Sequence, residues 1–340
     1  MHGPAHPRSR RILLQGAAAA CLPPALAAVA SVPAVAATGL AASQPLRVIV
    51  PFAAGGPSDL VLRAIAPHWQ QRTGQPLIIE HRPGAAGTIG AEVASRAAAD
   101  GQTLLFAPSE VLVNNTALFR DLRYRPLEDF VPIVRIGPVP LVLVTGATDG
   151  APDLDGFSHR ARRQRLDYGS WGDGSLAHLL GHALLVDRLR LDAVHVGYRG
   201  LGPMLQDLLG GQISAGFVVP PAALQHLRLG RLIALAVTGD PRSAVLPAVP
   251  TLVELGHTSP VFRLRQWAAL LAPAGVAQAR IAQLEAEFCA ALDRADVRRA
   301  LLEVGFELAE VPGSADASKA LRAELALVPP LLRELGIVAR

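Results

Sequence analysis

Two stretches combine glycine and serine in a spacing that suits anion binding. The first is Pro51-Phe52-Ala53-Ala54-Gly55-Gly56-Pro57-Ser58-Asp59. The second is Tyr168-Gly169-Ser170-Trp171-Gly172-Asp173-Gly174-Ser175-Leu176-Ala177-His178. Glycines let backbone N–H groups turn toward a guest. A serine then opens a helix whose first amides lack internal acceptors and carry partial positive charge. Such a site takes a carboxylate-sized anion without lysine, and Lys319 is the only lysine in the chain. If the two loops belong to two lobes, the guest bridges a cleft. The same residues also describe ordinary strand-to-helix turns capped by serine. Asp59 and Asp173 would repel an anion they faced; Asp59 also suits stabilising its own helix start.

Other chemistries find little support. The chain has no G-x-x-x-x-G-K-[ST], no G-x-S-x-G and no H-E-x-x-H. Gly84-x-x-Gly87-x-x-Gly90 has the wrong spacing for a dinucleotide fingerprint. His178 and His182 lie one helical turn apart, but spacing supplies no third metal ligand. The carboxylates are scattered, and none is paired for acid–base work. We therefore assign no metal, no cofactor and no catalytic residue.

The elements that position these loops follow an alternating pattern. Residues 46–50, 77–79 and 104–106 read as strands. Helices are expected from Ser58 as N-cap to about Arg72, with Leu60, Ile65 and Trp69 in the core, and from Thr88 to about Ala98. The pattern restarts with a strand over 139–145 and a helix over 154–163. The loop over 168–174 leads to a helix from Ser175. Strands at 193–196, 213–218 and 232–238 and a helix over 204–209 follow. The chain turns again through 266–271, then reads mainly helical from Ala277, with Ile281, Leu284, Phe288 and Leu292 at core spacing. This rhythm predicts mostly parallel sheets flanked by helices, with ligands at the strands' carboxyl ends.

The 340 residues fit about two domains, and 51% hydrophobic with 18% charged residues argues for a packed core. Two cysteines exclude a disulfide scaffold. The net charge of +4 falls to +1 without Arg8, Arg10 and Arg11, so no nucleic-acid partner is expected. Residues 1–43 read as a removable export signal. A basic start is followed by an alanine-rich stretch broken by Pro23, Pro24 and Pro33, and Ala34-Val35-Ala36 suits cleavage. Ser9-Arg10-Arg11-Ile12-Leu13-Leu14 resembles a twin-arginine address. Cys21 follows three alanines but lacks the usual upstream leucine of a lipidation site.

A series of motifs makes a more specific case. Pro51-Phe52-Ala53-Ala54-Gly55-Gly56 is followed by Glu80-His81-Arg82-Pro83-Gly84-Ala85-Ala86-Gly87-Thr88-Ile89-Gly90, then by Asp100-Gly101-Gln102-Thr103-Leu104-Leu105 and Asp129-Phe130. Gly172-Asp173-Gly174-Ser175 with His178-Leu179 comes next. Tyr198-Arg199-Gly200, Asp207-Leu208-Leu209-Gly210-Gly211-Gln212, Pro250-Thr251-Leu252 and Ala272-Pro273-Ala274-Gly275 complete it. In this order, over about residues 45–337, the chain resembles the Bug receptors, the substrate-binding proteins of tripartite tricarboxylate transporters.

The resemblance implies a two-lobed α/β architecture of the periplasmic-binding-protein type II-like kind, with a ligand cleft between the lobes. One lobe would join residues 44–142 to 263–340; the other would be 143–262. It implies a periplasmic, monomeric, non-enzymatic receptor that closes on a small organic carboxylate for membrane transporter subunits. A periplasmic adaptor for a signalling system is the alternative. Carried over, the ligand site comprises Phe52, Gly55, Gly56, Ser58 and Asp59 from the first loop. The second supplies Ser170, Gly172, Gly174, Ser175 and His178. Ser109, Tyr198 and Val219 line the rest. His178 reads equally well as a helix residue. The chain departs from the family at Val218-Val219-Pro220-Pro221, an apolar wall that disfavours an amino-acid ligand. It departs again at Trp171, which either narrows the pocket, stacks on a guest or packs outside, and at Gly197, where proline is common. Arg199 is a candidate partner for a second carboxylate or a solvated loop residue.

Overall fold

The computed structural model describes residues 44–307 and 313–337. The expected export signal, its twin-arginine address and Cys21 lie outside the described residues. Among the described residues, ten strands form two five-stranded sheets. The first contains β1 (Leu46–Val50), β2 (Leu77–His81), β3 (Thr103–Pro108), β4 (Phe130–Val139) and β10 (Gln266–Pro273), in the order β2-β1-β3-β10-β4. The second contains β5 (Val142–Gly146), β6 (Leu166–Ser170), β7 (Ala193–Gly197), β8 (Ala215–Val218) and β9 (Leu232–Val237), in the order β7-β6-β8-β5-β9. In each sheet three strands are parallel, and the other two join by antiparallel pairing. Both lobes are thus mixed α/β sheets, less parallel than the strand–helix rhythm predicts.

The difference has a local cause. β4 carries Pro132, Pro138 and Gly137, which hide a strand from propensity, yet it lies at a sheet edge where proline is tolerated. The expected strand over 139–145 is borne out from Val142 as β5, with a break at residues 140–141. β4 ends at Val139, β5 begins at Val142, and the chain passes from one sheet to the other between them. The return passage joins β9 to β10, the strand that the sequence marked only as a turn. The expected wall Val218-Val219-Pro220-Pro221 spans the end of β8 and the start of a helix, Pro220–Arg228, which two prolines open. Proline suits a helix start because that N–H has no internal acceptor.

β1 lies between β2 and β3, so four of its five residues are buried. The helix Pro57–Thr73 follows it and buries Val61, Leu62, Ile65 and Trp69. Leu60 is 45% exposed and is not a core residue, because the buried stripe starts one position later. Trp69 stacks on Phe288 of the helix Gln278–Leu292 at 4.7 Å between ring centroids. Ile281, Leu284 and Leu292 join Phe288 in that core, as their spacing predicts. Among the described residues no helix is long and apolar enough to cross a membrane.

Candidate functional site

The first loop leaves the carboxyl end of β1. Proline at the first helical position makes Gly56 the N-cap, in extended conformation, and moves Ser58 inside the first turn. Ser58 is therefore not the cap that the sequence suggested. Gly55 sits at φ +85°, open to glycine at little cost. Its N–H donates to Asp59 Oδ2 at 3.0 Å. Arg63 Nε donates to the same oxygen at 2.9 Å, and His81 Nε2 lies 3.0 Å from Oδ1. Burial alone would raise the Asp59 pKa, but the hydrogen bonds from Arg63, Gly55 and His81 hold it below the ordinary value. Asp59 thus turns back into its own loop. Among the described residues no protein group pairs with the Ser58 hydroxyl or with the Ser58 and Asp59 amides. Phe52 packs half-buried between the two largest apolar clusters.

The second loop leaves β6 and opens the helix Leu176–Gly181, which continues as a π-turn through Arg188. Ser175 is the N-cap, and its hydroxyl accepts from the His178 N–H at 3.2 Å. Gly174 N–H donates to His178 Nδ1 at 3.1 Å, and Ser175 N–H to the Gly172 carbonyl. Ser170 Oγ donates to the Gly172 carbonyl at 2.8 Å and accepts from Gly172 N–H at 3.3 Å. His195 Nε2 lies 2.7 Å from the same hydroxyl. His178 is buried, which pushes its pKa down to about 3, with His195 and His182 adding to the shift. Burial also lowers His195, against the pull of Asp173. Gly172 and Gly174 both take positive φ, and a Cβ on Gly174 would strike the Leu118 side chain.

A third contributor comes from the segment after β3, which the sequence reading represented by Ser109 alone. Ser109 is buried at the start of a short helix, Ser109–Leu112. The next residue, Glu110, reaches across to the second loop. Its Oε1 accepts the Leu176 N–H at 2.8 Å, and its Oε2 accepts the Trp171 indole at 3.4 Å. Burial pushes its pKa up, opposed by those two donors. Nearby, Asn114 Nδ2 donates to the Gly174 carbonyl at 2.7 Å. Glu110 had one signal in the sequence: it is the single acid between Asp100 and Asp121, next to the end of a buried strand.

Tyr198 and Val219 are placed differently. Tyr198 N–H donates to the Ser170 carbonyl, but its hydroxyl turns to Asp207 Oδ2 at 2.8 Å. Burial and Asp207 raise the Tyr198 pKa to about 12. Val219 caps the helix Pro220–Arg228 and packs against the apolar cluster of the first sheet. Trp171 is half-buried against the largest cluster, and Arg199 is exposed. A cavity of about 580 Å³ borders the second loop, lined by Asp173, His178, His182 and His195 together with Phe119 and Ile337. Of the predicted site residues, only His178 lines it.

The Asp173, His178 and His195 ligand atoms lie within 4.8 Å of one another. They do not converge on an ion. The two imidazoles stack at 3.5 Å and 5°, so their in-plane lone pairs lie in separate parallel planes. His178 Nδ1 accepts a backbone N–H, which puts its proton on Nε2 and removes that nitrogen as a ligand. The cluster is a hydrogen-bonded stack that stiffens the second loop.

The architecture has counterparts among solved structures. Residues 61–337 match the tripartite tricarboxylate transporter family receptor. BugT of Bordetella pertussis is 40% identical over 238 residues, covering 68% of this chain and 72% of that protein. Among solved structures, the periplasmic binding protein BugD is 25% identical with a TM-score of 0.75, covering 88% of this chain and 99% of its own. MatC from Rhodopseudomonas palustris with bound malate is 32% identical with a TM-score of 0.71, covering 85% and 99%. R. palustris Rpa4515 with adipate is 28% identical with a TM-score of 0.77, covering 88% and 99%. With matched two-lobed mixed sheets and a family match over most of its length, the chain belongs to the tripartite tricarboxylate transporter receptors, a family of solute-binding proteins.

Proposed function

We propose that this protein is an exported, periplasmic receptor. It captures a small organic carboxylate between two lobes, residues 44–142 with 263–340 and residues 143–262, and delivers it as a monomer to tripartite membrane transporter subunits. The carrying observation is the first loop. A 17-residue helix starts at the carboxyl end of β1, and among the described residues the Ser58 and Asp59 amides and the Ser58 hydroxyl have no partner. Malate and adipate in the related structures support a carboxylate guest. In this reading Ser58 and the adjoining amides of the first loop hold the carboxylate, with Ser109 beside them. Asp59 keeps Gly55 in place, and Tyr198, tied to Asp207, fixes the wall next to the second loop. Val219 supplies an apolar end. Binding at both lobes favours the closed form, which the transporter recognises, with no bond made or broken.

Replacing Ser58 alone is the clean test, because Ser175 caps its helix and Ser175→Ala would cost about 1 kcal/mol of stability. Melting of the refolded, ligand-stripped protein against a carboxylate panel should yield a selective stabilisation of about 2.7 kcal/mol at a hundredfold the Kd. Ser58→Ala should weaken the best binder about tenfold through loss of a hydrogen bond to a charged group. No stabilisation by any carboxylate, or undiminished affinity in the folded variant, would overturn this reading.

A further inference from the structure

The cavity of about 580 Å³ beside the second loop has no lining residue from the first loop, so it is separate from the Ser58 helix start. Its electrostatics are one-sided. Asp173 supplies a carboxylate, and among the described residues no lysine or arginine lines it. The helix Ser314–Glu334 ends there, with Leu335 and Gly336 in the lining, and the carboxyl end of a helix carries partial negative charge. His182 Nε2 lies 3.9 Å from the Asp187 carboxylate, so a second acid stands next to the lining. The imidazoles of His178 and His195 bring no opposing charge at neutral pH, because burial lowers both pKa values. The Ser170 hydroxyl spends its proton on the Gly172 carbonyl. His195 Nε2 must therefore donate to Ser170 Oγ, which leaves the Nδ1 lone pair as an acceptor. That nitrogen lies 3.7 Å from Asp173 Oδ1, too far for a hydrogen bond, and neither atom has a proton to give the other. One N–H donor group about 2.9 Å from each would bridge the two acceptors. Leu118, Phe119 and Ile337 make the apolar remainder, and an aromatic ring such as that of Phe119 attracts a cation.

We propose that this cavity is a second ligand site, which takes a primary organic ammonium with an apolar body. The inference goes beyond the carboxylate reading and does not rest on it. The ammonium donates to Asp173 and to His195 Nδ1, and its hydrocarbon part lies against Leu118, Phe119 and Ile337. His178 Nε2–H, the donor left once Nδ1 accepts from Gly174, suits an uncharged oxygen on the guest. An anion is disfavoured here, because the Asp173 carboxylate and the helix end both oppose it.

Titration calorimetry at pH 8 on the refolded, ligand-stripped protein tests the site. The probes are 2-phenylethylamine and 2-phenylethanol, one body with a charged and a neutral head. At that pH the amine is charged and an ordinary histidine is not. The amine should bind at least about tenfold more tightly than the alcohol. Asp173 is exposed, so Asp173→Asn should fold, and it should remove most of that margin. Phe119→Leu keeps an apolar side chain without a ring and should weaken the amine several-fold. Amine binding should persist when the best carboxylate of the panel is present at saturation. No heat with the amine, or equal affinity for amine and alcohol, would overturn the proposal. So would full amine affinity in both folded variants. Displacement of the amine by the carboxylate would put both guests in one cleft and overturn it too. None of these outcomes bears on the receptor reading, which stands or falls on the carboxylate panel.

Discussion

Burial beside His195 and His182 brings the His178 pKa down to about 3, whereas an unfolded histidine titrates near pH 6.5. Between these values the unfolded chain binds a proton that the folded one refuses. Stability from this group is therefore complete above about pH 6.5 and is lost progressively as pH falls toward 3. Asn in place of His178 keeps an oxygen acceptor for the Gly174 amide and does not titrate. Urea midpoints should fall less steeply between pH 7 and 4 in His178→Asn than in the unaltered protein, with a remaining slope from His195, whose pKa burial also lowers. Identical slopes would show that His178 is not the group responsible. The same residue-scale reasoning explains why serines at matching places act differently. Ser175 spends its hydroxyl on its own helix, while Pro57 shifts Ser58 past the cap and leaves its hydroxyl unpaired.

At the scale of elements, the helix Ser314–Glu334 secures the antiparallel side of the first sheet. Ser314 Oγ donates to the Pro132 carbonyl at 2.8 Å, and Arg135 Nε pairs with Asp316 at 2.7 Å. On the buried side the Trp267 indole donates to Glu324 Oε1 at 2.5 Å. Burial raises the Glu324 pKa to about 7, against the effects of Trp267 and Arg135. The sign is opposite to that of His178. The folded chain holds a proton that the unfolded chain has released, so stability falls as pH rises from about 4.5 to 7. Glu324→Gln retains the oxygen for Trp267 without a charge. It should be more stable than the unaltered protein at pH 8, by on the order of 2 kcal/mol, with the gap closed by pH 4. Thermal melts at the two pH values check this, and a gap of equal size at both would exclude ionisation as the cause. Elements also account for the glycine series over 84–90. A Cβ on Gly90 would lie 2.8 Å from the Pro51 Cα and 2.9 Å from the Arg82 carbonyl, so the series serves helix-to-strand packing.

At the scale of the molecule, the chain builds the same sheet order twice, with two passages between the sheets. The lobes are nevertheless not separate cores. One buried cluster contains Ile49 and Leu105 of the first sheet with Leu143 and Phe217 of the second, and Leu321 and Leu332 of the C-terminal helix join it. Glu110 and Asn114 add polar ties to the second loop. A shared core couples the lobes energetically, so the protein should unfold in one calorimetric transition with equal calorimetric and van't Hoff enthalpies. Two resolved transitions would show that the shared cluster contributes too little to couple them.

Much of this protein is determined locally. The β-branched run 46–50, the glycines before Pro57 and Ser175, and the spacing of Ile281, Leu284, Phe288 and Leu292 each specify their element through steric and hydrophobic periodicity. The order of the loop motifs sufficed to indicate the family and the two-lobed α/β architecture. What escaped local reading depends on contacts between distant segments. β4 is a strand because a sheet edge tolerates its prolines, and β10 because two strands flank it. Asp59 and Tyr198 belong to the loops that the motifs marked, but which groups their oxygens meet is decided by His81 and Asp207. Glu110 lies 66 residues from the amide that it accepts. A carboxylate's role depends on the donors around it, and only the folded chain brings those donors within hydrogen-bonding distance.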